Sequence, residues 1–69
     1  MLQGLKALYI VIFNGRVILF ETNLRSFVRE FEKIEKESRN FDFFYRQFKK
    51  TTYFQMNFSN KEYHFQRLL

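Results

Sequence analysis

The sequence predicts an α+β fold in which two β-hairpins form one antiparallel sheet and a helical layer covers one face of it. Three segments predict it: an Asn-Gly pair between two apolar runs, an amphipathic stretch in the middle, and a second alternating segment near the end. The chain has 69 residues. This is the size of one small domain, and we expect residues 1–69 to fold as a single unit.

The first hairpin is predicted from Asn14-Gly15, which lies between residues 8–13 and 16–21. Asn and Gly tolerate the two positive φ angles of a type I′ turn, so the loop should have two residues. In regular register, five residues share one face of this hairpin and are our predicted apolar interface: Tyr9, Val11, Phe13, Ile18 and Phe20. The opposite face is also apolar, so each face needs a cover.

The middle of the chain is predicted to be helical from Asn23, a good N-cap, onward. Apolar residues follow at helical spacing, and the charged residues between them, Glu35 included, should form an outer face. Beyond Ser38 two alternatives stand: one helix running to about Lys50, or a second short helix capped by Asn40. We favour a break near residues 38–40, where three polar or weakly helix-forming residues interrupt the apolar pattern.

The second hairpin is predicted around a Ser59-Asn60 loop. Its apolar face holds three predicted pairs, listed in order from the loop: Phe58 with Lys61, Met56 with Tyr63, and Phe54 with Phe65. Its other face is polar. A hairpin with one apolar face and one solvent-exposed polar face is expected in a sheet that has helices on one side only.

Composition excludes several classes of function. The chain has no cysteine and one histidine, which leaves too few ligands for a structural zinc site and no cysteine nucleophile; we expect no metal and no cofactor. The apolar run at residues 7–13 is too short to span a membrane, and no small-residue cleavage site follows it. We therefore expect a cytoplasmic protein with no membrane partner. The net charge of +5 excludes an acidic mimic of DNA.

The basic residues are concentrated in the second half, where residues 38–69 hold six bases and two acids. This asymmetry favours an anionic partner, such as nucleic acid or an acidic protein surface. Aromatic rings are interleaved with the bases, as in proteins that stack on nucleobases. The candidate residues for binding a partner or nucleic acid are Arg39, Arg46, Lys49, Lys50, Lys61, Arg67, Phe43, Tyr53, Tyr63 and His64.

One catalytic hypothesis arises on the polar face of the second hairpin, where Glu62, His64 and Tyr53 are neighbours. A histidine beside a carboxylate can act as a general base, so a small metal-free ribonuclease toxin is an alternative function. We favour a solvated strand face and a protein that is not an enzyme, because no phosphate-binding loop or nucleophile accompanies these residues.

The leading hypothesis is a small basic interaction protein that docks on a nucleic-acid-handling protein or ribonucleoprotein and modulates it. The surplus apolar face of the first hairpin supports docking or homodimerisation. A direct binder of single-stranded RNA or DNA is the alternative. In size and composition, rich in Phe, Asn and Lys and poor in Gly and Ala, the chain resembles small phage or mobile-element inhibitors, anti-CRISPR proteins among them.

Overall fold

The computed structural model describes residues 7–68 and confirms the predicted α+β fold. The elements, in chain order, are β1 (Leu8–Phe13), β2 (Arg16–Glu21), α1 (Leu24–Ile34), α2 (Phe41–Lys50), β3 (Tyr53–Phe58) and β4 (Lys61–Leu68). The strands form one antiparallel sheet in the order β2-β1-β4-β3. Both helices pack on the same face of this sheet. Neither helix is long and apolar enough to cross a membrane.

Both hairpin loops have two residues, as predicted. The φ angles are 53° at Asn14 and 74° at Gly15, and 54° at Ser59 and 62° at Asn60. Left-handed backbone at both positions is the signature of a type I′ turn, whose twist matches that of the strands it joins. The pairing of β3 with β4 also follows the predicted register throughout, from Phe58 opposite Lys61 to Phe54 opposite Phe65.

The helical region is split, and each helix has an asparagine N-cap. The Asn23 side chain accepts a hydrogen bond from the Ser26 amide at 2.9 Å, and the Asn40 side chain accepts one from the Phe43 amide at 3.0 Å. Such caps satisfy backbone donors that have no partner within the helix. The predicted break near residues 38–40 is therefore confirmed, with α1 ending four residues earlier at Ile34.

The core lies between the helices and the sheet and consists mostly of aromatic rings. Phe65 of β4 is fully buried, and the Phe31 ring meets it edge to face with centroids 5.3 Å apart. Such contacts between aromatic edges and faces stabilise beyond the area they bury. The buried cluster comprises Val11, Phe27, Val28, Phe31, Phe44, Phe48, Phe58, Tyr63 and Phe65.

The predicted register of the first hairpin holds for the two pairs next to the turn, Phe13 with Arg16 and Ile12 with Val17, and is wrong for the later pairs. Val11 pairs with Leu19 and Ile12 with Val17, so Ile18 is an extra residue that forms a β-bulge. After the bulge, Leu19 faces the helices and Phe20 pairs with Ile10 on the helix-free face. A bulge reverses the face on which every later side chain of the strand lies.

The prediction that Glu35 lies on the outer face of a helix is wrong. Glu35 is the C-cap of α1, and its side chain is buried, with 2% of the residue exposed. The carboxylate accepts hydrogen bonds from the Ser59 hydroxyl, from the Tyr63 hydroxyl at 2.7 Å and from the Glu37 amide at 3.0 Å. These contacts fasten the end of α1 to the β3–β4 turn.

Candidate binding surfaces

The residues predicted to bind a partner or nucleic acid are divided among several parts of the molecule. Half of them lie on or just before α2, namely Arg39, Phe43, Arg46, Lys49 and Lys50. Tyr53 and His64 lie on the helix-free face of the sheet, and Lys61 begins β4 at the turn. Arg67 is half-buried and pairs with Tyr9. The structure thus gathers five of the ten on one surface.

Tyr63 cannot act as an exposed stacking platform in this structure. Only 2% of the residue is exposed, and its ring meets that of Phe31 edge to face at 5.0 Å. Burial and the hydrogen bond to the charged Glu35 raise the pKa of Tyr63 to about 12. The bond from the Ser59 hydroxyl, joined by that from Tyr63, lowers the pKa of Glu35 although burial opposes this. These two residues serve the fold.

One side of α2 carries two stacked aromatic rings with a cation at each end. The Arg25 guanidinium from α1 lies 4.3 Å from the centroid of the Phe41 ring. That ring stacks on Tyr45 with centroids 5.8 Å apart, and the Lys49 ammonium lies 5.4 Å from the Tyr45 ring. Residues four apart on a helix are neighbours, which explains why the Phe41, Tyr45 and Lys49 side chains align.

Beside this column lies an open depression of about 270 Å³ that extends along α2 from Arg39 to Lys50. Its walls include Arg39, whose guanidinium lies 4.5 Å from the Phe43 ring centroid, together with Arg46 and Lys50. Arg46 pairs with Asp42 at 2.7 Å, and both side chains are largely exposed. We call the column and this depression together the basic–aromatic surface; its residues are Arg25, Arg39, Phe41, Phe43, Tyr45, Arg46, Lys49 and Lys50.

The side chains of this surface are of the kinds that bind anions. Five cationic side chains are set against the single carboxylate of Asp42, and the Tyr45 ring between them is 46% exposed. Guanidinium groups bind carboxylates and phosphates in a planar, two-pronged geometry, and they also stack on rings. An exposed ring between cations offers a base or an apolar side chain a place to pack.

The Glu62, His64 and Tyr53 side chains meet on the helix-free face, as the catalytic hypothesis requires. His64 Nε2 lies 2.9 Å from a Glu62 carboxylate oxygen, and the Tyr53 hydroxyl is bonded to His64 Nδ1. Since a carboxylate only accepts, Nε2 donates to Glu62, and in that tautomer Nδ1 can accept from the Tyr53 hydroxyl. Both ring nitrogens are engaged within the chain, so a substrate proton could reach Nδ1 only after Tyr53 moves away.

The other half of the helix-free face is apolar, and it belongs to the first hairpin. Val17 is 53% exposed and Phe20 is 65% exposed, each beside a half-buried isoleucine of β1. Leu8 pairs with Leu68 along the same face. We call this the open apolar face; its residues are Leu8, Ile10, Ile12, Val17, Phe20 and Leu68. Both helices pack on the opposite side of the sheet.

The predicted apolar interface needs a corresponding correction. Val11 is fully buried, and Tyr9 and Phe13, both half-buried, pack against the core on the helix side and so do not lie on the open apolar face. Ile18 and Phe20 are exposed as an interface would require. Two causes divide the predicted face: the helices cover the side that holds Tyr9, Val11 and Phe13, and the bulge moves Phe20 to the other side. The sequence does not signal the bulge because residues 17–20 are all apolar.

Compared with models of protein families, with curated proteins and with solved structures, the chain has no match.

Proposed function

We propose that this protein is a non-enzymatic cytoplasmic docking protein that binds a nucleic-acid-handling protein or ribonucleoprotein and modulates it. The observation that carries the proposal is that one small sheet has an exposed apolar surface on one side and a basic, aromatic surface on the other. The open apolar face lies on the helix-free side, and the basic–aromatic surface lies on the helical layer. One molecule can therefore hold an apolar patch of a protein and an anionic group at the same time.

The open apolar face supports protein docking. Phe20 and Val17 expose more than half of their surface, and no charged side chain from β1 or β2 shares their face. Each apolar Å² removed from water contributes roughly 25 cal/mol, and aromatic anchors dominate the energy of many interfaces. Such an apolar patch contributes little to binding a nucleic acid, whereas the surface of a partner protein can bury it.

The basic–aromatic surface supports an anionic element in the same partner. Five cations on one side of the molecule attract an acidic protein surface or bound nucleic acid and accelerate the encounter. An inhibitor encoded by a phage or mobile element is the biological form that the composition favours.

The test is capture of the partner from an extract of the host cell, with and without nuclease treatment. We expect a captured protein that itself handles nucleic acid and that stays bound after nuclease treatment. The matched variants are Phe20→Glu on the open apolar face and Tyr53→Glu. Tyr53 lies in the same cross-strand row at the other edge of the sheet, and although the sequence made it a binding candidate, it lies outside both surfaces that the proposal uses.

Both positions are exposed, at 65% and 47%, so both variants should fold. Phe20→Glu should abolish capture, and Tyr53→Glu should leave it unchanged. Equal loss in both variants, or a captured protein with no connection to nucleic acid, would contradict the proposal.

A second candidate function is direct binding of single-stranded nucleic acid. The aligned column of Arg25, Phe41, Tyr45 and Lys49 favours it, because stacked rings between cations are what such binders offer to bases and phosphates. The measurement is the affinity for a generic single-stranded RNA over a range of salt concentrations. Direct binding predicts a steep fall with salt through counterion release, reduced in slope by Lys49→Glu. Absence of binding at low salt excludes this candidate.

A further inference from the structure

The edge of the sheet formed by β2 has a pattern that is complementary to itself. β2 is an outer strand of the sheet, so one side of its backbone has no strand beside it within residues 7–68. It begins with Arg16 and ends with Glu21, and its interior is apolar. An apolar outer strand is a template for pairing with another chain.

The bulge at Ile18 determines which side chains two copies of this strand would bring together. In a regular strand of six residues the first and last side chains lie on opposite faces. Here Arg16 pairs with Phe13 and Glu21 with Tyr9, which places both charged residues on the helix side. Likewise Val17 and Phe20 both lie on the helix-free side, paired with Ile12 and Ile10.

Directly opposed residues of an antiparallel pair must lie on the same face. The bulged strand meets this condition when a second copy runs antiparallel to it about a two-fold axis near Ile18 and Leu19. Arg16 of each copy then lies opposite Glu21 of the other, and Val17 lies opposite Phe20. Each opposed pair is either oppositely charged or apolar, and the symmetry makes each pair occur twice.

We propose that the protein forms a homodimer by antiparallel pairing of β2 with β2 of a second copy, which yields a continuous eight-stranded sheet. In the dimer the open apolar faces of the two copies form one continuous apolar surface, because Val17 and Phe20 of both copies meet at the centre of the eight-stranded sheet. The inference concerns assembly and does not depend on the identity of a docking partner. Arg16 and Glu21 lie outside the open apolar face, so the two proposals can fail separately.

The experiment uses charge reversal, with sedimentation equilibrium measured over a range of concentrations. Arg16→Glu and Glu21→Arg each replace two opposite-charge contacts with like-charge contacts. Each variant should weaken dimerisation at least about ten-fold, given roughly 1 kcal/mol for each of two pairs. The combined variant R16E/E21R restores opposite charges and should dimerise within about three-fold of the wild type on the same grounds.

Mixing the two single variants is the most discriminating experiment. The edge strand of Arg16→Glu has two acidic ends, that of Glu21→Arg has two basic ends, and the two strands attract each other. The mixture should form heterodimers although neither variant dimerises well alone, which a folding defect could not produce. Lys36→Glu and Glu32→Arg make the same changes in charge at exposed positions outside β2 and should leave dimerisation unchanged.

A wild-type chain that stays monomeric at all concentrations would overturn the proposal, as a bulge can also turn an edge away from pairing. A dimer that is indifferent to both reversals and to their mixture would overturn it too, and would indicate pairing through β3 or through the faces.

Discussion

The two hairpins of this protein have the same kind of turn but differ in the register of their strands and in the polarity of their two faces. The β3–β4 hairpin is regular, with one face in the core and one polar face. The β1–β2 hairpin is bulged at Ile18 and apolar on both faces, and it exposes Phe20 and Val17 to solvent. The regular hairpin is explained by folding alone. The bulged hairpin retains exposed apolar surface that the fold does not bury, and our proposal is that this surface binds a partner.

The largest expected difference between the hairpins is in the free energy of unfolding. Phe65→Ala should cost about 3–5 kcal/mol, because the fully buried ring contacts five other phenylalanines. Phe20→Ala should change stability by less than about 0.5 kcal/mol, as is usual for surface positions. Urea denaturation measures both. A comparable loss from Phe20→Ala would show that this ring serves the fold.

The next effect concerns the buried bond that ties the regular hairpin to α1. Tyr63→Phe leaves the Glu35 carboxylate without one of its three donors, at a cost of about 1–3 kcal/mol. Ser26→Ala is the control, since its hydroxyl takes part only in a long contact with Arg29 at the surface. Equal effects of the two changes on the urea midpoint would contradict a buried role for Glu35.

The same bond predicts how stability depends on pH. The pKa of Glu35 is lowered from its ordinary 4.5, so its contribution is complete above pH 4.5 and is lost as pH falls through the lowered pKa. The pKa of Tyr63 is raised from 10.0 to about 12, so its contribution is complete below pH 10 and is lost as pH rises towards 12. Subtracting the Tyr63→Phe curve from that of the wild type should isolate the alkaline loss, and a flat difference above pH 10 would contradict it.

The turns give a smaller contrast. Gly15→Ala places a Cβ on a backbone with φ of 74° and should cost about 1–2 kcal/mol. The Cβ itself meets nothing within 4 Å, so the cost is conformational. Asn60→Gly, at the equivalent position of the second turn, should change the free energy of unfolding by less than about 0.5 kcal/mol. Glycine relieves the strain of the positive φ angle, but it also loses more conformational entropy on folding, and the two effects oppose each other. Thermal unfolding of both variants tests whether the turns are alike.

The smallest effect is expected at His64. Its contacts with Tyr53 and Glu62 are exposed, so His64→Ala should cost less than about 1 kcal/mol. A protein that docks without catalysis should cleave no RNA, whether wild type or variant, in a gel-based assay. Cleavage that disappears in His64→Ala would favour the ribonuclease alternative over docking.

Prediction from the sequence succeeds where a local signal has one interpretation. Asn14-Gly15 determines a turn type, and Asn23 and Asn40 each cap a helix. It fails where the residue pattern permits two arrangements. Residues 17–20 are apolar without alternation, so either register buries a large side chain, and only packing beneath α1 selects Leu19 for the core.

The basic residues illustrate a second limit. Charge asymmetry identifies the second half of the chain as basic, but five of the ten candidates lie away from the surface around α2. Arg25 belongs to that surface and was missed, because it precedes Phe41 by sixteen residues and meets it only when the two helices pack. Glu35 was missed for the same reason, since its donors at Ser59 and Tyr63 come from a distant turn and strand.

The most direct test of the central claim, that the bulged hairpin presents a docking face, is the dissociation constant of the captured partner for three purified proteins. These are the wild type, Phe20→Glu and Tyr53→Glu. The account predicts that Phe20→Glu weakens binding by at least about thirty-fold, as loss of a buried aromatic anchor does, and that Tyr53→Glu stays within about three-fold. Binding that tolerates Phe20→Glu as well as it tolerates Tyr53→Glu would contradict the claim.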